Sequence, residues 1–232
     1  MHALALAAVV CLAYVLGSIP VGLLVVRLIT GKDIRSVGSG RTGGTNALRA
    51  GGCIAGLSTA ILDALKSATA VWVAQWVSPG DHLVHVLAPL AVVLGHNYSM
   101  FLPEFNENGR LVRLRGGAGG AAVVGGVLAL WPPAAFVIAA LAGLVFFSIG
   151  IASVATLSIG LAAALAFAVR AAQGQMPWTD VLYPVVAELL LLWALRPNLQ
   201  RLARGEERIV RYSLAGMLRE RRAKARKPAG HD

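Results

Sequence analysis

Apolar positions in this chain run in long unbroken blocks and do not alternate with polar ones at the period of a soluble helix or strand. Residues 3–28, 54–77, 83–102 and 181–195 form such blocks, and residues 118–169 form one far longer than a single crossing needs. A helix spans the hydrocarbon of a bilayer with about 20 apolar residues. The long block breaks at Trp131-Pro132-Pro133 and at Ser148-Ile149-Gly150, giving three spans that end at Leu130, Phe147 and Val169. The first two are short for a bilayer and call for tilt or shelter by neighbours. The pattern predicts an all-α fold, a polytopic membrane helix bundle of about seven transmembrane helices. Pro20 predicts a kink in the first, its freed carbonyl satisfied by a neighbour.

Charge gives the bundle a direction. The 232 residues are 57% hydrophobic and 14% charged, against about 25% charged in soluble domains. Of the 21 Lys and Arg residues, all but Lys66 and Arg170 fall within residues 27–49, 110–115 and 196–227. Short loops rich in Lys and Arg stay in the cytoplasm, so the N-terminus is predicted outside and the C-terminus cytoplasmic. Six spans would put the first basic loop and the basic C-terminal segment on opposite faces. The net charge of +10 is therefore a topology signal, and no nucleic-acid partner is expected. Residues 1–213 read as one integral membrane domain. Residues 214–232 read as a basic cytoplasmic tail, partly helical and held at an anionic lipid surface. Cys11 and Cys53 lack metal-ligand spacing and imply neither a disulfide framework nor a zinc site. The residues before Cys11 make a poor lipoprotein site, so the first block reads as a retained span.

Chemistry collects in three polar clusters on the predicted inner face. The first is Gly38-Ser39-Gly40-Arg41-Thr42-Gly43-Gly44-Thr45-Asn46-Ala47-Leu48-Arg49. Its glycines let the backbone approach a ligand closely. Exposed amides and arginine forks then suit phosphate or carboxylate, although a basic reverse turn has the same composition. The second cluster holds His96 and the run Gly116-Gly117-Ala118-Gly119-Gly120, and the third opens at Arg196-Pro197-Asn198 and reaches Glu207. Asp63 and Lys66 lie three residues apart inside a span, so they share a face and can pair. An intramembrane charge pair serves either function or structure. No glycosidase-type carboxylate pair, cysteine nucleophile, Ser-His-Asp order or P-loop is present. What converges is anion-binding chemistry.

On these residues the sequence resembles the bacterial acyl-phosphate-dependent glycerol-3-phosphate acyltransferases, the PlsY type. Gly17-Ser18-Ile19-Pro20, Asp33-Ile34-Arg35, Gly38-Ser39-Gly40 and Gly44-Thr45-Asn46-Ala47-Leu48-Arg49 look like that family's first motif. Gly95-His96, Phe101-Leu102, Gly116-Gly117 and Gly119 look like its second, and Arg196, Asn198, Arg201-Leu202, Gly205 and Glu207 like its third. The resemblance implies transfer of a fatty acyl group from acyl-phosphate to the 1-hydroxyl of glycerol 3-phosphate, giving lysophosphatidic acid for phospholipid biosynthesis. It implies no cofactor and no metal, a bacterial inner (cytoplasmic) membrane setting, and an active site facing the cytoplasm. Membrane lipid and other phospholipid-synthesis enzymes are the implied partners. Ser39, Arg49, Asn198 and, as a weaker candidate base, His96 are the implied catalytic residues. Gly38, Gly40, Gly43, Gly44, Asn46, Gly116, Gly117, Ser153, Arg115 and Glu207 are the implied substrate-binding residues. Outside the resemblance, Asn198 could instead cap a helix ending after Pro197, and Glu207 could pair with Arg211.

The departures are as informative as the matches. The family's second motif has a lysine where this chain has Ala118, and an amide follows its Gly-Ser-Gly where this chain has Arg41. The family histidine before the third-motif arginine is Leu195 here. Arg110 and Arg113, in an apparent insertion over residues 106–114, and Arg115 after it, are candidates to replace the missing charge. A catalytically weak relative that binds phospholipid precursors is the second reading. A small-anion transporter is the third, and it lacks the internal repeat such proteins carry.

Overall fold

In a computed structural model describing residues 2–225, the chain is a bundle of helices. They are α1 (His2–Ser18), α2 (Val21–Thr30), α3 (Gly44–Val77), α4 (His82–Asn97), α5 (Gly120–Leu130), α6 (Pro132–Ile149), α7 (Ala152–Ala172), α8 (Trp178–Ala203) and α9 (Leu214–Ala225). Residues 4–30, α3, α6, α7 and α8 are long and apolar enough to cross a membrane, while α4 and α5 are shorter apolar helices. At Pro20 the expected kink is a full break between α1 and α2. Arg226 and Lys227, part of the predicted basic tail, lie outside the described residues; what is described of the tail forms α9, packed on α6.

The packing inverts the rule for soluble proteins. Alanine, valine and glycine fill the interior, whereas Leu12, Ile54, Trp76, Phe136, Leu161, Leu165 and Trp193 point outward. Such a continuous apolar exterior suits lipid, and small interior residues let helix backbones approach closely. Gly17 of α1 faces the backbone of Val92, and Gly95 of α4 faces Tyr14 O. Central α5 relies on the same device. A β-carbon at Gly125 would lie 1.9 Å from Ala64 O, and one at Gly126 would lie 2.1 Å from the Tyr183 hydroxyl, which donates to Val123 O at 2.9 Å. Backbone cannot yield as a flexible side chain can. We therefore expect Gly125→Ala to destabilise the protein by about 1–3 kcal/mol, the cost of overpacking a filled core. Thermal unfolding in detergent measures it, and an unchanged midpoint would mean that α3 and α5 do not meet as described.

Two boundaries differ from expectation. The segment between α4 and α5, expected as a polar loop, contains a hairpin, β1 (Pro103–Phe105) against β2 (Leu111–Leu114), antiparallel with an irregular register at Phe105. Asn106 closes it, its side-chain oxygen accepting from the amides of Asn108 and Arg110. The last spanning helix also runs past Leu195, where the apolar block ends, and through Pro197 to Ala203, so Asn198 and Arg201 sit on α8. Asn198 is thus no helix cap.

Candidate functional site

Alternation of helix direction brings the starts of α3, α5 and α7 to one face of the bundle, together with the end of α8. A cavity of about 670 Å³ opens among them. Its lining includes Gly43, Gly44 and Thr45 at the start of α3, Gly119, Gly120 and Ala121 at the start of α5, and Ala152 and Ser153 at the start of α7. Helix N-termini carry unpaired amides and partial positive charge, and they favour anions. Glycine-rich junctions make the convergence possible. At Gly119 φ is 90°, and its β-carbon would crowd Asn97 and Leu191.

Side chains add full charges to these dipoles. Arg41, Arg49, Arg201 and Arg208 line the cavity. Arg201 is paired with Glu207 at 3.0 Å, and Glu207 also accepts from Asn198 Nδ2 at 2.8 Å. Glu207 therefore orients both third-cluster residues of α8 and does not pair with Arg211. Arg49 makes no hydrogen bond or ion pair among the described residues. Arg41 reaches across the site, donating to Gly117 O at 2.9 Å, Ala194 O at 2.5 Å and Asn198 Oδ1 at 3.5 Å. Burial pulls its pKa below the usual arginine value, and an arginine stays protonated throughout the ordinary range.

The remaining polar groups fall into two sets. Ser39 lines the cavity and its Oγ accepts only a long 3.4 Å contact from the Arg41 amide, and buried Ser153 Oγ has no partner. Asn46 is occupied differently. Its Nδ2 donates to Ile34 O, Val37 O and Arg41 O, and its Oδ1 accepts from the Ser39 amide. It holds the loop in shape while bordering the cavity with Gly38. His96 also borders it. Its Nδ1 lies 3.1 Å from Lys66 Nζ and 3.3 Å from Asp63 Oδ1. Lys66 also pairs with Asp63 and donates to Gly17 O and Ile19 O. His96 Nδ1 thus meets the buried pair, and Nε2 faces Gly117, where a β-carbon would lie 1.9 Å away.

Gly40, Gly116, Gly117 and Arg115 do not line the cavity. The first three frame it: Thr42 N donates to Gly116 O, Gly117 N to His96 O, and Gly40 N to Val37 O. Arg115 is drawn off by Glu104, which also binds Arg113 on the hairpin. Arg110 is exposed on the same hairpin. None of the three lines the cavity, although Arg115 Nη1 would lie 3.5 Å from a β-carbon at Gly40.

The rest of the lining is largely apolar and includes Ile61, Ala64, Val124, Ala139, Ala142, Phe146 and Ile159, with buried Asp63 among them. A β-carbon at Gly143 would touch nothing within 4 Å. The cavity combines cationic side chains and helix starts with apolar lining. The family model described as glycerol-3-phosphate acyltransferase matches residues 7–205. The chain belongs to that family. Its relatives include glycerol-3-phosphate acyltransferases of Myxococcus xanthus, 37% identical over 87% of this chain and 97% of the relative, and of Thermus thermophilus, 40% identical over 85% and 91%. In three dimensions it is similar to the crystal structure of PlsY, an integral membrane glycerol 3-phosphate acyltransferase, in its glycerol 3-phosphate form. That comparison gives a TM-score of 0.76 and 30% identity, covering 89% of this chain and 96% of that one. The lysophosphatidic acid form gives the same TM-score at 28% identity. In this acyltransferase the arginine reaching the second glycine-rich loop comes from the first loop, which sequence spacing around Ala118 did not suggest.

Proposed function

We propose that the protein transfers a fatty acyl group from acyl-phosphate to the 1-hydroxyl of glycerol 3-phosphate, releasing lysophosphatidic acid and inorganic phosphate. The observation that carries this reading is one cavity lined by both arginines and apolar side chains. Its cationic groups suit two phosphates, and its apolar lining suits an acyl chain. The glycerol oxygen attacks the acyl carbonyl carbon, the bond from that carbon to the phosphate oxygen breaks, and the hydroxyl proton passes to a phosphate oxygen. An acyl-phosphate is already activated, so no covalent nucleophile is needed. Holding both reactants in register supplies much of the rate, and fixed positive groups stabilise the oxyanion as it forms. Ser39, Arg49 and Ser153 are the free polar groups that would contact substrate, with Asn198 oriented by Glu207. The His96 ring, with Nε2 toward the glycine loop, is the nearest imidazole should the proton go to protein.

The same reading sets the protein in the bacterial inner membrane with seven crossings, the N-terminus outside and the cavity mouth cytoplasmic. The helix starts of α3, α5 and α7 and the end of α8 would then share the basic side. Membranes containing the protein, given palmitoyl phosphate and glycerol 3-phosphate, are expected to form lysophosphatidic acid above membranes lacking it. Absence of product with phosphate binding retained would favour the alternative suggested by Ala118, a relative that binds precursors without turning them over.

A further inference from the structure

Arg41 is the one cavity arginine whose guanidinium bridges all three polar clusters, and its named partners, Gly117 O, Ala194 O and Asn198 Oδ1, are neutral. No carboxylate forms an ion pair with it among the described residues. Holding a charge partly out of water without a directly paired counter-charge is costly, and Glu207 reaches it only through Asn198, so an anion in the cavity would complete the arrangement. Those contacts use its two terminal nitrogens, Nη1 and Nη2, and leave Nε–H without a hydrogen bond among the described residues. Ala118, next to the carbonyl that Arg41 holds, lines the cavity with a side chain that bears no charge. We propose that Arg41 is a substrate-phosphate ligand of this enzyme, supplying from the first loop the cation that the second loop lacks at Ala118. The inference rests on the acyl-transfer reading for its substrate, but the phosphate oxyanion it binds can be tested without turnover.

The experiment uses the full-length protein in detergent. Inorganic phosphate binding is measured by calorimetry for the unaltered protein, Arg41→Lys, Arg41→Gln and the double variant Arg41→Asn/Ala118→Lys. Arg41→Gln is expected to weaken phosphate binding about 10- to 100-fold, the loss of a charge-assisted bond. Arg41→Lys should lose less, and the double variant should recover most of the binding. A structural staple would not respond this way, because lysine at 118 restores charge and not the three oxygen contacts. Should Arg41→Gln fail to fold, phosphate shielding of Arg41 from phenylglyoxal in the unaltered protein gives the same answer by peptide mapping. The proposal is overturned if Arg41→Gln binds phosphate normally, or if phosphate leaves Arg41 labelling unchanged. It is also overturned if the double variant stays as weak as Arg41→Gln. Where turnover is seen, the KM that rises in Arg41→Gln, for palmitoyl phosphate or for glycerol 3-phosphate, tells which phosphate it holds. If the unaltered protein makes no lysophosphatidic acid, the acyl-transfer reading fails while the phosphate-binding result still decides the role of Arg41.

Discussion

Arg49→Ala is expected to lower kcat/KM for acyl transfer by about 10²- to 10³-fold, the range seen when one fixed stabilising donor is removed from a transition state. Arg49 lines the cavity without any hydrogen bond or ion pair among the described residues, so the folded protein does not use it as a brace. Its charge instead adds to a site already populated by Arg41, Arg201 and Arg208, against which only Glu207 is paired with an arginine. Removing it relieves like-charge repulsion when no substrate is bound. The thermal midpoint without substrate should therefore hold or rise, while stabilisation by added phosphate falls. A residue kept for activity at some expense of stability behaves in this way. Arg49→Lys should recover part of the loss only, since an ammonium cannot reproduce a planar fork. A drop in midpoint matching the drop in activity would make Arg49 a structural residue and sink the prediction.

How much of this was legible in the sequence differs from element to element. The apolar blocks mark the long helices because a membrane leaves the chain few alternatives. The end of α8 was not legible, because Arg196 and Pro197 read as the end of the last apolar block. In the structure the Arg196 guanidinium lies over the Trp193 ring at 4.1 Å, and the helix continues through the proline. The hairpin could have been found. Asn108-Gly109, flanked by Phe105 and Leu111, is a strong short-range turn signal, and Gly109 takes φ of 69°. The site is a harder case. Glycines, Ser39, Arg49, Asn198 and Glu207 were all visible as chemistry, and most of them do meet in one cavity. The contact from Arg41 to Gly117 was not visible, since it depends on how α3 and α5 start side by side. Arg110, Arg113 and Arg115 are nearer Ala118 in sequence, but Glu104 pairs with two of them and none of the three lines the cavity.

The buried charges beneath the site lead to the second large effect. Lys66→Met should destabilise the protein by about 3–5 kcal/mol, because it leaves Asp63 enclosed without its ion-pair partner. Lys66 and Asp63 are paired at 2.8 Å with side chains almost wholly out of solvent. Lys66 also ties α3 to the end of α1 and the α1–α2 break through Gly17 O and Ile19 O. Asp63→Ala alone should cost a similar amount by leaving the ammonium uncompensated. The double variant should be more stable than the two losses added together, since neither charge is then left alone. Thermal unfolding of the three variants in detergent measures this coupling, and strictly additive losses would show that the pair is not a unit. Activity separates brace from chemistry. His96 Nδ1 loses both of its charged neighbours in the double variant, so its Nε2 is no longer fixed toward the glycine loop. If acyl transfer returned together with stability, the orientation of His96 would be irrelevant to turnover. If stability returns and activity does not, the buried pair serves the site by holding His96 in place as well as by holding the helices together.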